Sequence, residues 1–108
     1  MTNILKKIIE EKKHSINLIK KEKSLDTLEK KIKGHNFLNF KEAIQKNNSI
    51  SLITEIKKAS PSAGILLNNF NHIEIAKMYI NNGATCLSVL TEEKYFLGKL
   101  DYIQDIKK

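Results

Sequence analysis

Arginine is absent from this chain, and all nineteen of its basic residues are lysine. Bidentate contacts to phosphates and base edges favour the arginine fork. A net charge of +7 on 108 residues is therefore poor ground for nucleic-acid binding. The lysines are also scattered among carboxylates, and no nucleic-acid-binding motif accompanies them. Lysine, isoleucine and asparagine are abundant together, which points to biased codon usage rather than a basic patch. Cysteine is nearly absent. Cys86 stands alone, so no internal disulfide forms, and its place in an apolar strand pattern predicts a buried structural thiol. Long apolar runs are missing too, and none approaches the ~20 residues of a membrane span. The N-terminal isoleucines are interrupted by Glu10, Glu11, Lys12 and Lys13, which excludes a secretory h-region. A transit peptide would be rich in arginine and poor in acids. These absences predict a cytoplasmic protein with no membrane and no nucleic-acid partner.

What is present is enough for one modest domain: 108 residues, 41% hydrophobic and 29% charged. Residues 3–20 read as an amphipathic helix with Ile4, Leu5, Ile8, Ile9, Ile16 and Ile19 near helical spacing, capped by Asn3 or Thr2. Ser24 opens a second short helix carrying Leu25, Leu28 and Ile32, which Gly34 ends. Phe37, Phe40, Ala43 and Ile44 mark a third helical segment, so residues 1–48 form a helical extension. Further on, Asn71 caps a helix from His72 to Asn82, with Ile73, Ala76, Met78, Tyr79 and Ile80 facing a core and Gly83 terminating it. His72 is expected to be an exposed first-turn residue, because no partner lies near it in sequence. Ala84–Leu90 is a near-continuous apolar run, as in a parallel strand covered on both faces. A loop from Thr91 to Gly98 leads to a last helix carrying Leu100, Ile103 and Ile106. Strands alternating with helices predict βαβ units and a parallel sheet over residues 49–108.

The stretch that organises the chain is Ile50–Gly64, ISLITEIKKASPSAG. Read as a strand, it puts Ile50, Leu52 and Ile56 on one face and Ile53, Glu55 and Lys57 on the other. The aliphatic face suits a layer of helices. The Cα atoms of Glu55 and Lys57 fall roughly 7 Å apart, within reach of one small ligand. Such a pair is either a surface ion pair on an edge strand or part of a site, because ligands of parallel α/β sheets sit at the carboxyl ends of strands. Pro61 and Gly64 then break the strand in a hydroxyl-rich loop, where Gly64 permits positive φ.

Glu55-Ile56-Lys57-Lys58-Ala59-Ser60-Pro61-Ser62 resembles the signature of the indole-3-glycerol phosphate synthase family. Leu87-Ser88-Val89-Leu90-Thr91-Glu92, followed by Tyr95-Phe96 and Gly98, resembles that family's second strand and loop, in the right order and at the right spacing. The resemblance implies a (β/α)₈ TIM barrel, present here as the N-terminal helical extension and the first two βα units. It also implies a carboxy-lyase of tryptophan biosynthesis. The family converts 1-(2-carboxyphenylamino)-1-deoxyribulose 5-phosphate to indole-3-glycerol phosphate with loss of carbon dioxide and water, using no metal and no organic cofactor. By resemblance, Lys57 contacts the substrate and serves proton transfer or carboxylate binding, and Glu55 orients that lysine. Ser60 matches a loop serine near the substrate phosphate, and Phe96 the aromatic that packs on the anthranilate ring. How acid and base roles divide among these residues stays open.

The family's third-strand catalytic lysine, its second catalytic glutamate and its glycine-rich phosphate cradle have no counterpart in these residues. Ala63 stands where a basic residue is common, and Asn69 where an aspartate is common. A closed barrel needs roughly 250 residues. The chain is therefore expected to be inactive alone and to find a partner in the remainder of the barrel. Two other readings stay open: a non-catalytic remnant of that enzyme, and a small lysine-rich interaction module.

Overall fold

The computed structural model of the chain describes residues 3–46 and 49–108. Thr2, the alternative cap, and Asn48, at the expected end of the extension, lie outside the described residues. The chain divides into two compact units, residues 1–38 and 39–108.

The first unit is helical. Helix α1 (Ile4–Glu22) is capped by Asn3, whose side-chain oxygen accepts from the Leu5 and Lys6 N–H groups at 3.1 and 3.5 Å. Helix α2 (Leu25–Ile32) is capped by Ser24, which accepts from the Thr27 N–H at 3.2 Å. Each cap satisfies an N–H group that the first helical turn leaves without a carbonyl. Neither helix buries a single residue. Their apolar positions are spaced for a core that this unit does not itself close.

The second unit holds the strands. Helix α3 (Phe40–Gln45), capped by Asn39, belongs to it, and its Ile44 carbonyl accepts from the Ser51 hydroxyl at 2.9 Å. Strand β1 (Ile53–Ile56) is shorter than the run from Ile50 suggested. The hairpin strands β2 (Ala59–Ser60) and β3 (Gly64–Ile65) follow, then helix α4 (His72–Asn81) and strand β4 (Cys86–Val89). Helix α5 (Asp101–Lys107) is the last element. β1 and β4 pair in parallel, Ile53 opposite Cys86 and Ile56 opposite Val89, and α4 makes the crossover that parallel neighbours require. The pairing extends past both ends: the Thr85 N–H donates to the Leu52 carbonyl at 2.8 Å, and the Leu90 N–H to the Ile56 carbonyl at 3.1 Å. The sheet is thus α/β in kind, with two strands among the described residues.

The core is small: Ile56, Ala59 and Ala76 are its buried apolar residues. Ile56 is 1% exposed, at a gain of about 1.5–3 kcal/mol for such a side chain. The rest of the expected aliphatic face does not follow it, because Leu52 is 48% exposed and Ile50 lies open beyond the strand. Three expectations need correcting here. β4 is not covered on both faces, and none of its residues is buried. Cys86 is accordingly half-buried rather than buried. On α4, Met78 and Ile80 face outward, while Ala76 is the helix's buried residue. All three differences have one cause: at these positions the two strands and their helices supply too few neighbours to exclude water.

Candidate functional site

The site is built at the carboxyl end of β1. Glu55 and Lys57 lie two residues apart and their heads meet, Lys57 Nζ standing 2.8 Å from Glu55 Oε1. The lysine is 30% exposed and the glutamate 48%. The Glu55 backbone is pinned from behind, where the Tyr79 hydroxyl on α4 donates to its carbonyl at 3.0 Å. This tie fixes the strand end against the helix, while the Glu55 carboxylate holds the ammonium. It was not foreseen from sequence, where Tyr79 reads as an apolar core position.

Ser60 sits in a hairpin that sequence periodicity missed. Ala59 pairs with Ile65 and Ser60 with Gly64, closing a three-residue loop, and the Leu66 N–H donates to the Lys58 carbonyl at 2.8 Å. Gly64 adopts φ 67°, the left-handed conformation such a loop demands and glycine supplies without strain. The Ser60 hydroxyl oxygen accepts from the Ala63 N–H at 3.1 Å and lies 3.5 Å from the Ser62 hydroxyl. Its turn contact leaves the Ser60 proton able to donate to an anion.

Phe96 lies in the loop after β4 and is half-buried, not a freely exposed ring. Because β1 and β4 run parallel in register, this loop leaves the sheet from the same end as Lys57. The two strand-end segments border an open cleft of about 550 Å³ lined by Lys58, Glu93, Leu97, Gly98, Lys99, Leu100 and Asp101. None of Glu55, Lys57, Ser60 and Phe96 lines that cleft, to which the segment after β1 contributes Lys58. Gly98 is buried because its backbone lies against the carbonyl of Leu90, and a Cβ there would overlap the Leu90 and Thr91 backbone. Gly98→Ala is expected to displace the loop at a cost of about 1–3 kcal/mol, as overpacking typically does. Denaturant unfolding of the variant within a complete barrel measures this, and an unchanged midpoint would contradict it.

His72 departs from expectation. Its Nε2 is 2.9 Å from Asp105 Oδ2, and its ring stacks on Tyr102 with centroids 4.1 Å apart. Asp105 is 33 positions away in sequence, so no local signal could reveal the pair. It fastens α4 to α5 rather than serving the ion-pair end of β1. Among the described residues, no group of three or more His, Cys, Asp or Glu side chains is placed to hold a metal ion. No described helix is long and apolar enough to cross a membrane.

The family model described as indole-3-glycerol phosphate synthase matches residues 5–108. The indole-3-glycerol phosphate synthase of Clostridium acetobutylicum is 46% identical over 107 residues, spanning 97% of this chain and 40% of the relative. That of Desulforamulus reducens is 44% identical over 106 residues with the same coverage, and that of Legionella pneumophila 45% identical over 103 residues, 95% of this chain and 40% of its own. The chain thus spans about 40% of the length of these curated relatives. It belongs to the indole-3-glycerol phosphate synthase family.

Proposed function

We propose that these residues form the opening part of a TIM-barrel indole-3-glycerol phosphate synthase: residues 1–48 its helical extension, residues 49–108 its first two βα units. With the remaining strands in place, the protein converts 1-(2-carboxyphenylamino)-1-deoxyribulose 5-phosphate to indole-3-glycerol phosphate, carbon dioxide and water. The observation that carries this reading is the Glu55–Lys57 contact at the carboxyl end of a parallel strand, where barrel enzymes hold their substrates. Ring closure needs a proton for the ketone oxygen and a cation to balance the ring carboxylate. Lys57 supplies the ammonium for these tasks, and Glu55, bonded to it, fixes where that ammonium points. Ser60 offers its hydroxyl proton to the substrate phosphate. Phe96 gives the anthranilate ring an apolar surface to pack on. The reaction runs in the cytoplasm, on a small phosphorylated substrate.

The experiment joins these 108 residues to the remaining length of the Clostridium acetobutylicum relative and follows product fluorescence. Product formation is the expected result, and a folded fusion that forms none would overturn the reading. In the same fusion, Phe96→Ala is expected to raise KM by about tenfold or more, the worth of an aromatic stack plus its buried area, with kcat changed far less. An unchanged KM with a collapsed kcat would contradict the role given to Phe96.

A further inference from the structure

The loop that carries Phe96 is organised by one carboxylate. Glu92 Oε1 accepts from the Lys94 N–H at 3.0 Å, and Oε2 accepts from the Tyr95 and Phe96 N–H groups at 2.6 and 3.1 Å. The Glu92 backbone closes the same loop from the other side, its carbonyl accepting from the Gly98 N–H at 2.8 Å. Between these two ties stands Leu97 at φ 52°, an uncommon conformation for a bulky residue that persists only where its surroundings impose it. Glu92 is half-buried, so its three charge-assisted bonds are partly shielded from water. Three consecutive N–H groups converging on one side chain fix the backbone of residues 94–96, and with it the direction in which the Phe96 ring leaves the chain.

We infer that Glu92 is a positioning residue: its carboxylate holds the loop after β4 in the conformation that aims Phe96 at the aromatic ring of the substrate. The inference rests on the proposed function for the substrate, while the loop clamp itself stands on the hydrogen bonds alone. Glu92 acts through Phe96 and does not touch the reacting atoms.

The test uses the complete-barrel fusion with Glu92→Gln and Glu92→Ala, read by amide hydrogen exchange and by steady-state kinetics. The glutamine can keep its single carbonyl oxygen on Tyr95 and Phe96, but then presents an N–H₂ group to the Lys94 N–H. Exchange is therefore expected to quicken mainly at Lys94 in Glu92→Gln and at all three amides in Glu92→Ala. Protection of the Leu90 amide, which bonds to Ile56 across the strands, should stay as in the parent. In kinetics, Glu92→Ala should raise KM about tenfold, the worth of the lost charged hydrogen bonds, with kcat within about threefold. Glu92→Gln should fall between Glu92→Ala and the parent. Unchanged exchange at residues 94–96 in Glu92→Ala would overturn the clamp whether or not the fusion is active. Faster exchange with an unchanged KM would overturn the link to Phe96, and a collapsed kcat at constant KM would make Glu92 catalytic instead. If Glu92→Ala does not fold, the graded pattern in Glu92→Gln decides alone.

Discussion

Replacing Lys57 by methionine in the complete barrel is expected to lower turnover by about 10²-fold or more, the usual contribution of a positioned acid–base group. Methionine keeps the length and apolar stem of lysine and removes its charge and its donors. The fold should survive, because Lys57 is partly exposed and its partner Glu55 is more so, leaving the unpaired carboxylate in contact with water. Surface ion pairs contribute little to stability in any case, so the circular-dichroism spectrum should match the parent's. Loss of activity at constant fold would separate a catalytic ammonium from a structural one. A variant that turns over within about threefold of the parent would reduce Glu55 and Lys57 to an ordinary ion pair.

Alone, the 108-residue polypeptide is expected to form no product above background and to self-associate. β1 and β4 make a two-stranded sheet among the described residues, so each has an outer edge that no described strand pairs, and such edges template further pairing. Ile53, on the face of β1 that carries Glu55, is 51% exposed. Ile65, in the second strand of the hairpin, and Leu66 and Leu67 just beyond it are similarly exposed. Each large apolar side chain left in water forgoes about 1.5–3 kcal/mol, a large fraction of what holds a small domain together. Size-exclusion chromatography with light scattering should therefore find species larger than a monomer. Adding the remaining strands should convert them to a defined complex, since a barrel closes through the same strand contacts whether or not the chain is continuous. A stable monomer with measurable turnover would overturn this expectation and would mean that Glu55 and Lys57 suffice.

Local chemistry made much of the fold legible. Asn3, Ser24 and Asn71 cap the helices where a short polar side chain precedes an apolar period, because capping depends only on near neighbours. The parallel pairing of β1 with β4 follows from two apolar runs separated by a helix. The hairpin of β2 and β3 was hidden because two-residue strands carry no periodicity. Burial was overestimated at Cys86, Met78 and Ile80, since an apolar residue is buried only when enough chain surrounds it, and pattern reports facing rather than supply. The candidate site divides in the same way. Glu55 and Lys57 lie close in sequence and their contact could be read from strand geometry. Glu92 could not be singled out, because its partners are backbone N–H groups that any residue type provides. His72 and Asp105 meet only through the packing of α4 on α5.

The central claim is that Lys57, held by Glu55 at the end of the first strand, belongs to the active site of an indole-3-glycerol phosphate synthase barrel. The most direct measurement adds the separately prepared remainder of the barrel to this chain, or to its Lys57→Met variant, and records product fluorescence with the carboxyphenylamino substrate. Fluorescence that appears with the parent chain and falls about 10²-fold or more with the variant is the predicted result. Equal fluorescence from the two mixtures, or none from a parent mixture shown to have assembled, would contradict it.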